Sequence, residues 1–153
     1  MEKKIFKFVY KTAEKVILYV MFAFFVIMTV LNSIRLSGLF SFVSYDVFVD
    51  TVGLIFSIIL GLFIISTLNQ SKYILLEKDL IEQISIFKKK IDCTKISKIL
   101  YHDTAKLLYI FYTNEKNKQI YLKINLQKDD IDDFVDSLKQ RNSAIVYELT
   151  GGK

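Results

Sequence analysis

The chain is poor in the side chains that catalysis and covalent bracing use: its 153 residues include one cysteine, one histidine and two arginines. A lone cysteine, Cys93, excludes an internal disulfide framework and agrees with a reducing cytosol. The histidine, His102, sits beside Asp103 and is expected as a surface residue in a turn rather than a general base. With Cys93 nine residues away and no second histidine or cysteine, the two cannot complete a zinc site. Asp129, Asp130, Asp132, Asp133 and Asp136 come without the glycine and terminal glutamate of a calcium loop, and a helix N-terminus accounts for four of them. No nucleophile with a base, no metal cluster and no phosphate cradle can be assembled from the sequence. The expectation is therefore a protein that is not an enzyme and has no catalytic residue, metal or cofactor. Scarce arginine also argues against nucleic acid as a partner.

Charge is the next absence. Across residues 16–68 the only charged side chains are Arg35, Asp46 and Asp50. A hydrocarbon core about 30 Å thick takes about 20 helical residues to cross, so a run of this length predicts a two-helix transmembrane hairpin, residues 16–71, with spans at about 16–34 and 51–71. The first span stays bulky where a cleaved signal peptide would turn to small residues, so cleavage is not expected. In the second, Gly53, Ser57 and Gly61 fall four residues apart on one helix face, a spacing that lets two backbones approach closely in lipid. That stripe fits packing against the first span of the same chain, or a homodimer or partner-helix contact. In the intervening turn, Phe40, Phe42, Tyr45 and Phe48 suit the outer interface, and Arg35, Asp46 and Asp50 are expected to reach the headgroups.

The charge that is present is unevenly placed. Residues 1–15 carry five lysines against two glutamates, and lysine close to a span is retained on the cytoplasmic side. Lys3, Lys4, Lys7, Lys11 and Lys15 therefore predict a cell-membrane protein with both termini cytoplasmic. Ile5, Phe8, Val9, Thr12 and Val16 recur at helical spacing, so segment 1–15 is expected either as a helix in the membrane interface or as a cytosolic extension of the first span. Residues 72–128 hold twelve lysines against six acids, while 129–153 reverse to three basic against six acidic. Lys72, Lys88, Lys89 and Lys90, with Lys3, Lys4, Lys7 and Lys11, are the candidates for contact with the lipid bilayer and its anionic headgroups.

Residues 72–153 predict one small cytosolic domain. Strand signals fall at 73–76 and 80–87, the latter ending at Lys88, Lys89 and Lys90, and a less regular stretch follows with Ile91, Cys93, Ile96 and Ile99. Segments 107–113 and 119–126 form the clearest hairpin; in its second arm Ile120, Leu122, Ile124 and Leu126 alternate with Tyr121, Lys123 and Asn125. From Asp129 onward Ile131, Phe134, Val135 and Leu138 give a helix, with Asp129 or Asp130 as cap and Lys139 and Arg141 at its end. Residues 144–149 suit a last strand or a tail, and Gly151, Gly152 and Lys153 a frayed end. The class is α+β: a transmembrane hairpin, then a small antiparallel sheet with a C-terminal capping helix.

Three runs carry a resemblance: Tyr73-Ile74-Leu75-Leu76-Glu77-Lys78-Asp79-Leu80-Ile81; Phe87-Lys88-Lys89-Lys90-Ile91 leading to Ile96-Ser97-Lys98-Ile99; and Phe134-Val135-Asp136-Ser137-Leu138-Lys139-Gln140-Arg141-Asn142. Together they resemble the bacterial pleckstrin-homology-like (PH-like) domains found beside paired membrane spans in Gram-positive bacteria, in the group that includes the sublancin immunity protein. Ser85 stands where that group tends to have a glycine. The resemblance implies a PH-like fold that binds rather than catalyses, and most concretely bacteriocin self-immunity, with a peptide toxin or a membrane-protein partner as the bound molecule. The alternative is a structural or assembly subunit of a larger membrane complex, joined through Gly53, Ser57 and Gly61.

Overall fold

The structure is a computed structural model and describes residues 2–38 and 46–151. The expectations placed on Phe40, Phe42, Tyr45, Gly152 and Lys153 lie outside the described residues. The chain forms two compact units: Met1–Tyr10 with Ser71–Lys153, and Lys11–Gln70.

The first unit holds two four-stranded sheets and one helix. Strands β1 (Lys4–Lys7), β2 (Lys72–Leu75), β3 (Asp79–Ile84) and β4 (Phe87–Asp92) pair antiparallel in that order. A 3-10 turn, Cys93–Lys95, leads into β5 (Ile96–His102), β6 (Leu107–Thr113) and β7 (Gln119–Ile124). Helix α3 (Lys128–Arg141) follows, and β8 (Val146–Thr150) closes the second sheet, whose order is β7-β6-β5-β8 with β8 parallel to β5. Alternation along β6 buries Leu108, Ile110 and Tyr112, and β7 turns Leu122 and Ile124 inward while Tyr121 is exposed, as the sequence pattern predicts. Ile131, Phe134, Val135 and Leu138 of α3 complete the core with Phe6, Tyr73, Leu75 and Leu80.

Several expectations change. Segment 1–15 is not one helix: Lys4–Lys7 is a strand in register with β2, Lys4 opposite Leu75 and Lys7 opposite Lys72. Pairing with β2 puts Phe6 inside, 5.0 Å and edge-on to Phe134, and Val9 N–H donates to the Asn125 carbonyl at 2.9 Å. Burial of Phe6 and the backbone pairing with β2 outweigh the weak helical pattern. The strand expected over 80–87 breaks at a two-residue loop, Ser85-Ile86, so Lys88, Lys89 and Lys90 lie within β4 rather than after a strand. Ser85 has φ +56°, the backbone region that favours glycine. Finally, α3 is capped at Gln127 without a side-chain bond; Asp129 and Asp130 lie inside its first turn, and His102 ends β5 rather than sitting in a turn.

In the second unit, α1 (Thr12–Leu36) and α2 (Val47–Gln70) are each long and apolar enough to cross a membrane. They run antiparallel: a Cβ on Gly53 would meet Asn32 Nδ2 at 2.9 Å, while one on Gly61 would sit 3.9 Å from Phe22 and Phe25. Asp46 starts α2, accepting from the Phe48 and Val49 amides.

Candidate functional site

Strand pairing places the predicted lysines more sharply than their sequence positions do. Directly opposed residues in an antiparallel sheet share a face. One row across β1 to β4 is Lys7, Lys72, Gln83, Lys88, and two positions along is Ile5, Ile74, Ile81, Lys90. These residues form the outer face of the sheet, since the alternate row buries Phe6 and Tyr73 and the next buries Leu75, Leu80 and Ile91. Four of the expected contact lysines, Lys7, Lys72, Lys88 and Lys90, thus converge on one face around three isoleucines. Lys90 also pairs with Asp79 at 3.0 Å.

The others are distributed differently. Lys4 points to the opposite side and pairs with Asp133 of α3 at 2.6 Å. Lys89 also lies on the inner side, its Nζ 5.5 Å from the centre of the Tyr112 ring. Lys3 is exposed ahead of β1, and Lys11 is exposed at the start of α1, where its backbone N–H donates to Glu14 at 2.9 Å.

Beside Lys89 opens a cavity of about 630 Å³. Along one side runs β4, with Lys89, Lys90, Ile91 and Asp92; on the other are Tyr112, Thr113, the β6–β7 turn at Glu115 and Lys116, and Ile120. Lys95 stands at one end. Of the cavity's three carboxylates, Asp79 is paired with Lys90, and Asp92 accepts from the Thr94 amide and hydroxyl, bonds that hold its pKa below the ordinary value. Lys89, Lys90, Lys95 and Lys116 against Asp79, Asp92 and Glu115 leave the cavity lining with one excess positive charge. Tyr112 is 5% exposed and its hydroxyl has no hydrogen-bond partner among the described residues. Glu82, opposite Lys89 in the sheet, has its pKa raised by burial, which the Lys89 charge partly offsets.

Two side chains hold this unit's frame. Arg141 donates from Nε to the Leu76 carbonyl, from one terminal nitrogen to Ser137 at 2.7 Å and from the other to Glu2 at 2.9 Å. Asn142 Nδ2 donates to the Cys93 and Ile96 carbonyls at 2.9 and 3.0 Å, fixing both ends of the 3-10 turn. Cys93 itself is 1% exposed, and burial pushes its thiol pKa up to about 11, so it is a packing residue rather than a nucleophile. His102 Nδ1 lies 2.8 Å from the Thr150 hydroxyl and ties β5 to β8.

In the helix pair, Ser57 and Gly61 are buried beside α1 and Gly53 faces Asn32, so the small-residue stripe lies toward α1, with Ser57 and Gly61 also bordering a groove between the two helices. Asp50 does not reach outward as expected: it is 3% exposed and lies 3.5 Å from Arg35. Packing of α2 against α1 turns its side chain inward, one helical turn from Gly53. Asn32 Nδ2 and Asp50 Oδ2 are buried with no hydrogen-bond partner among the described residues. Sequence reasoning missed β1 and the cavity; β1 leaves no periodic signal, since Lys4-Ile5-Phe6-Lys7 sets two apolar residues side by side, while the cavity depends on which strands become neighbours.

No family model matches the chain, and no curated protein matches it. Among solved structures it is similar to a chain of the Spt16D Pob3N heterodimer, at 13% identity and a TM-score of 0.40. The matched region covers 54% of this chain and 48% of that one, about half the length of each.

Proposed function

We propose that this is a membrane-anchored binding protein, with α1 and α2 in the bilayer and a PH-like domain in the cytosol. One observation carries it: the helix pair has its polarity inverted. Asn32, Asp50, Ser57 and Thr67 are buried, while Val16, Ile17, Val20, Phe24, Ile27, Ile55, Ile59 and Leu62 are exposed. In water that surface would aggregate; in hydrocarbon it is the solvated one. The outer face of the first sheet, with Lys7, Lys72, Lys88 and Lys90, rests on anionic headgroups, where each well-placed lysine contributes about 1 kcal/mol. Its most concrete role is self-protection of a Gram-positive producer against its own peptide toxin, a reading that follows from the family resemblance and from a binding cavity without catalytic groups. The test is expression in a sensitive strain and growth against the peptide encoded beside the gene. Protection is expected, and unchanged sensitivity would refute the immunity role.

A second reading, an assembly subunit, draws on a groove of about 200 Å³ along the helix pair, lined by Phe22, Phe25, Ser57, Gly61, Leu62 and Ile65. A partner helix would seat a side chain there. Gly61→Leu would then abolish co-purification of the partner; without one, it would only lower the amount of folded protein.

A further inference from the structure

β4 is an edge strand beside an open cavity, and its geometry fits an added strand. Ile84 and Phe87 flank a two-residue loop, so Phe87, Lys89 and Ile91 exchange hydrogen bonds with β3; the Cys93 amide, bonded to the Lys78 carbonyl, keeps the same parity. The backbone N–H and C=O groups of Lys88, Lys90 and Asp92 therefore point away from β3, and among the described residues β4 has no strand on that side. Residues 88–92 offer about 16 Å of such edge.

Edges of this kind pair with other chains unless something prevents it. Here the deterrent is charge: Lys88, Lys89 and Lys90 oppose pairing with a second copy of the same edge. They favour an acidic strand for the same reason. A strand laid along β4 would direct alternate side chains into the cavity, toward Lys89, Lys95 and Lys116, with Tyr112 at its wall. Its other side chains would lie beside Lys88 and Lys90. Polar pairing along the backbone gives affinity in this mode, and the alternate side-chain positions give selectivity.

We propose that the free edge of β4 and the adjoining cavity bind an extended acidic peptide segment by strand addition. The proposal names the ligand class for the binding role above and rests on that role only for its biological meaning.

The test uses the full-length protein in detergent micelles and a fluorescein-labelled eight-residue peptide of alternating glutamate and valine, with its lysine–valine counterpart as control. Saturable binding of the acidic peptide is expected, with slowed hydrogen exchange at the Lys88, Lys90 and Asp92 amides. Lys88→Pro removes an edge N–H without touching the β3 ladder, and Lys116→Glu reverses a cavity charge; each is expected to weaken binding at least tenfold with the domain's melting transition retained. Equal binding of the lysine peptide would overturn the proposal. So would wild-type binding by Lys88→Pro, or protection of the same amides by anionic phosphatidylglycerol vesicles but not by the peptide. Failure of growth protection with peptide binding intact would remove the immunity role and leave this site standing.

Discussion

Lys7 and Lys72 face each other across β1 and β2, although 64 residues separate them. Antiparallel neighbours are ordinarily joined by a loop of a few residues. Here the loop is replaced by both apolar helices. The Tyr10 and Ser71 hydroxyls, 2.8 Å apart, and the Phe8 amide on the Ser71 carbonyl hold exit and return side by side. The globular domain is thus assembled from both sides of the helix pair, and its first strand is made before either helix.

That arrangement predicts that the N-terminal segment is part of the domain's stability. Phe6 is 5% exposed and packs edge-on to Phe134, so Phe6→Ala should cost about 3–5 kcal/mol. Chemical unfolding of the full-length protein in micelles, followed at the domain's tyrosines, measures this. If residues 1–15 served only to hold the membrane surface, the same substitution would change vesicle binding and leave the unfolding midpoint in place.

The sequence made β6, β7 and α3 legible because each is a local pattern, period two or period 3.6, that tertiary structure did not override. The apolar helices were legible instead from the length of their nearly uncharged runs, though both extend further toward the N-terminus than predicted, to Thr12 and Val47. β1 was not, since four residues are too few to declare a period and its partner lies beyond both helices. Ser85 shows the converse: a residue unlike the glycine of the resembling group still adopts the positive φ, because the register of β3 and β4 demands a two-residue turn. Of the candidate lysines, the ones that converge were named, but only pairing could separate Lys89 from Lys88 and Lys90. Asp50 was misplaced because a charged residue near a helix end points outward by default, and only the approach of α1 turns it in.

The helix pair predicts a reversal of sign. Gly53→Ala places a methyl 2.9 Å from the buried Asn32 amide, and such overpacking, about 1–3 kcal/mol, exceeds the roughly 1 kcal/mol gained in helix propensity. With Asn32→Ala in the background the obstruction is gone and the same Gly53→Ala should stabilise. At Gly61 the added methyl would meet only ordinary contacts, so Gly61→Ala should be neutral or better in either background. Unfolding of the helical signal in mixed micelles across the double-mutant cycle checks all three, and additive effects at Gly53 and Asn32 would contradict the geometry.

Arg141 predicts a failure of conservative replacement. Its guanidinium reaches three carbonyls on separate segments, and a lysine ammonium cannot span all three. Arg141→Lys should lose two charge-assisted bonds, a cost of roughly 2–4 kcal/mol. Hydrogen exchange should also rise near Leu76 and in the strand that follows Glu2, the segments next to two of the acceptors, while exchange in β6 and β7 tracks only the global loss.

The buried thiol and phenol predict weakening in alkali. Burial raises the Cys93 pKa from 9.0 to about 11, and the Tyr73 pKa is pushed well above its ordinary value, again chiefly by burial. Between about pH 9 and 11 the unfolded chain has released the thiol proton that the native chain keeps. The native state then binds more protons, and stability falls as pH rises, by up to about 1.4 kcal/mol per unit for the single group. Tyr73 adds to the fall above its unfolded value of 10. Denaturant midpoints of the wild type and Cys93→Ala at pH 8, 9 and 10 separate the two contributions. The variant should begin lower, having lost a buried side chain, but decline less between pH 9 and 10; lysine deprotonation is common to both proteins and cancels in the comparison. Equal declines would mean that the thiol is as accessible to water in the native state as in the unfolded chain, which a residue 1% exposed within the hydrophobic core does not allow.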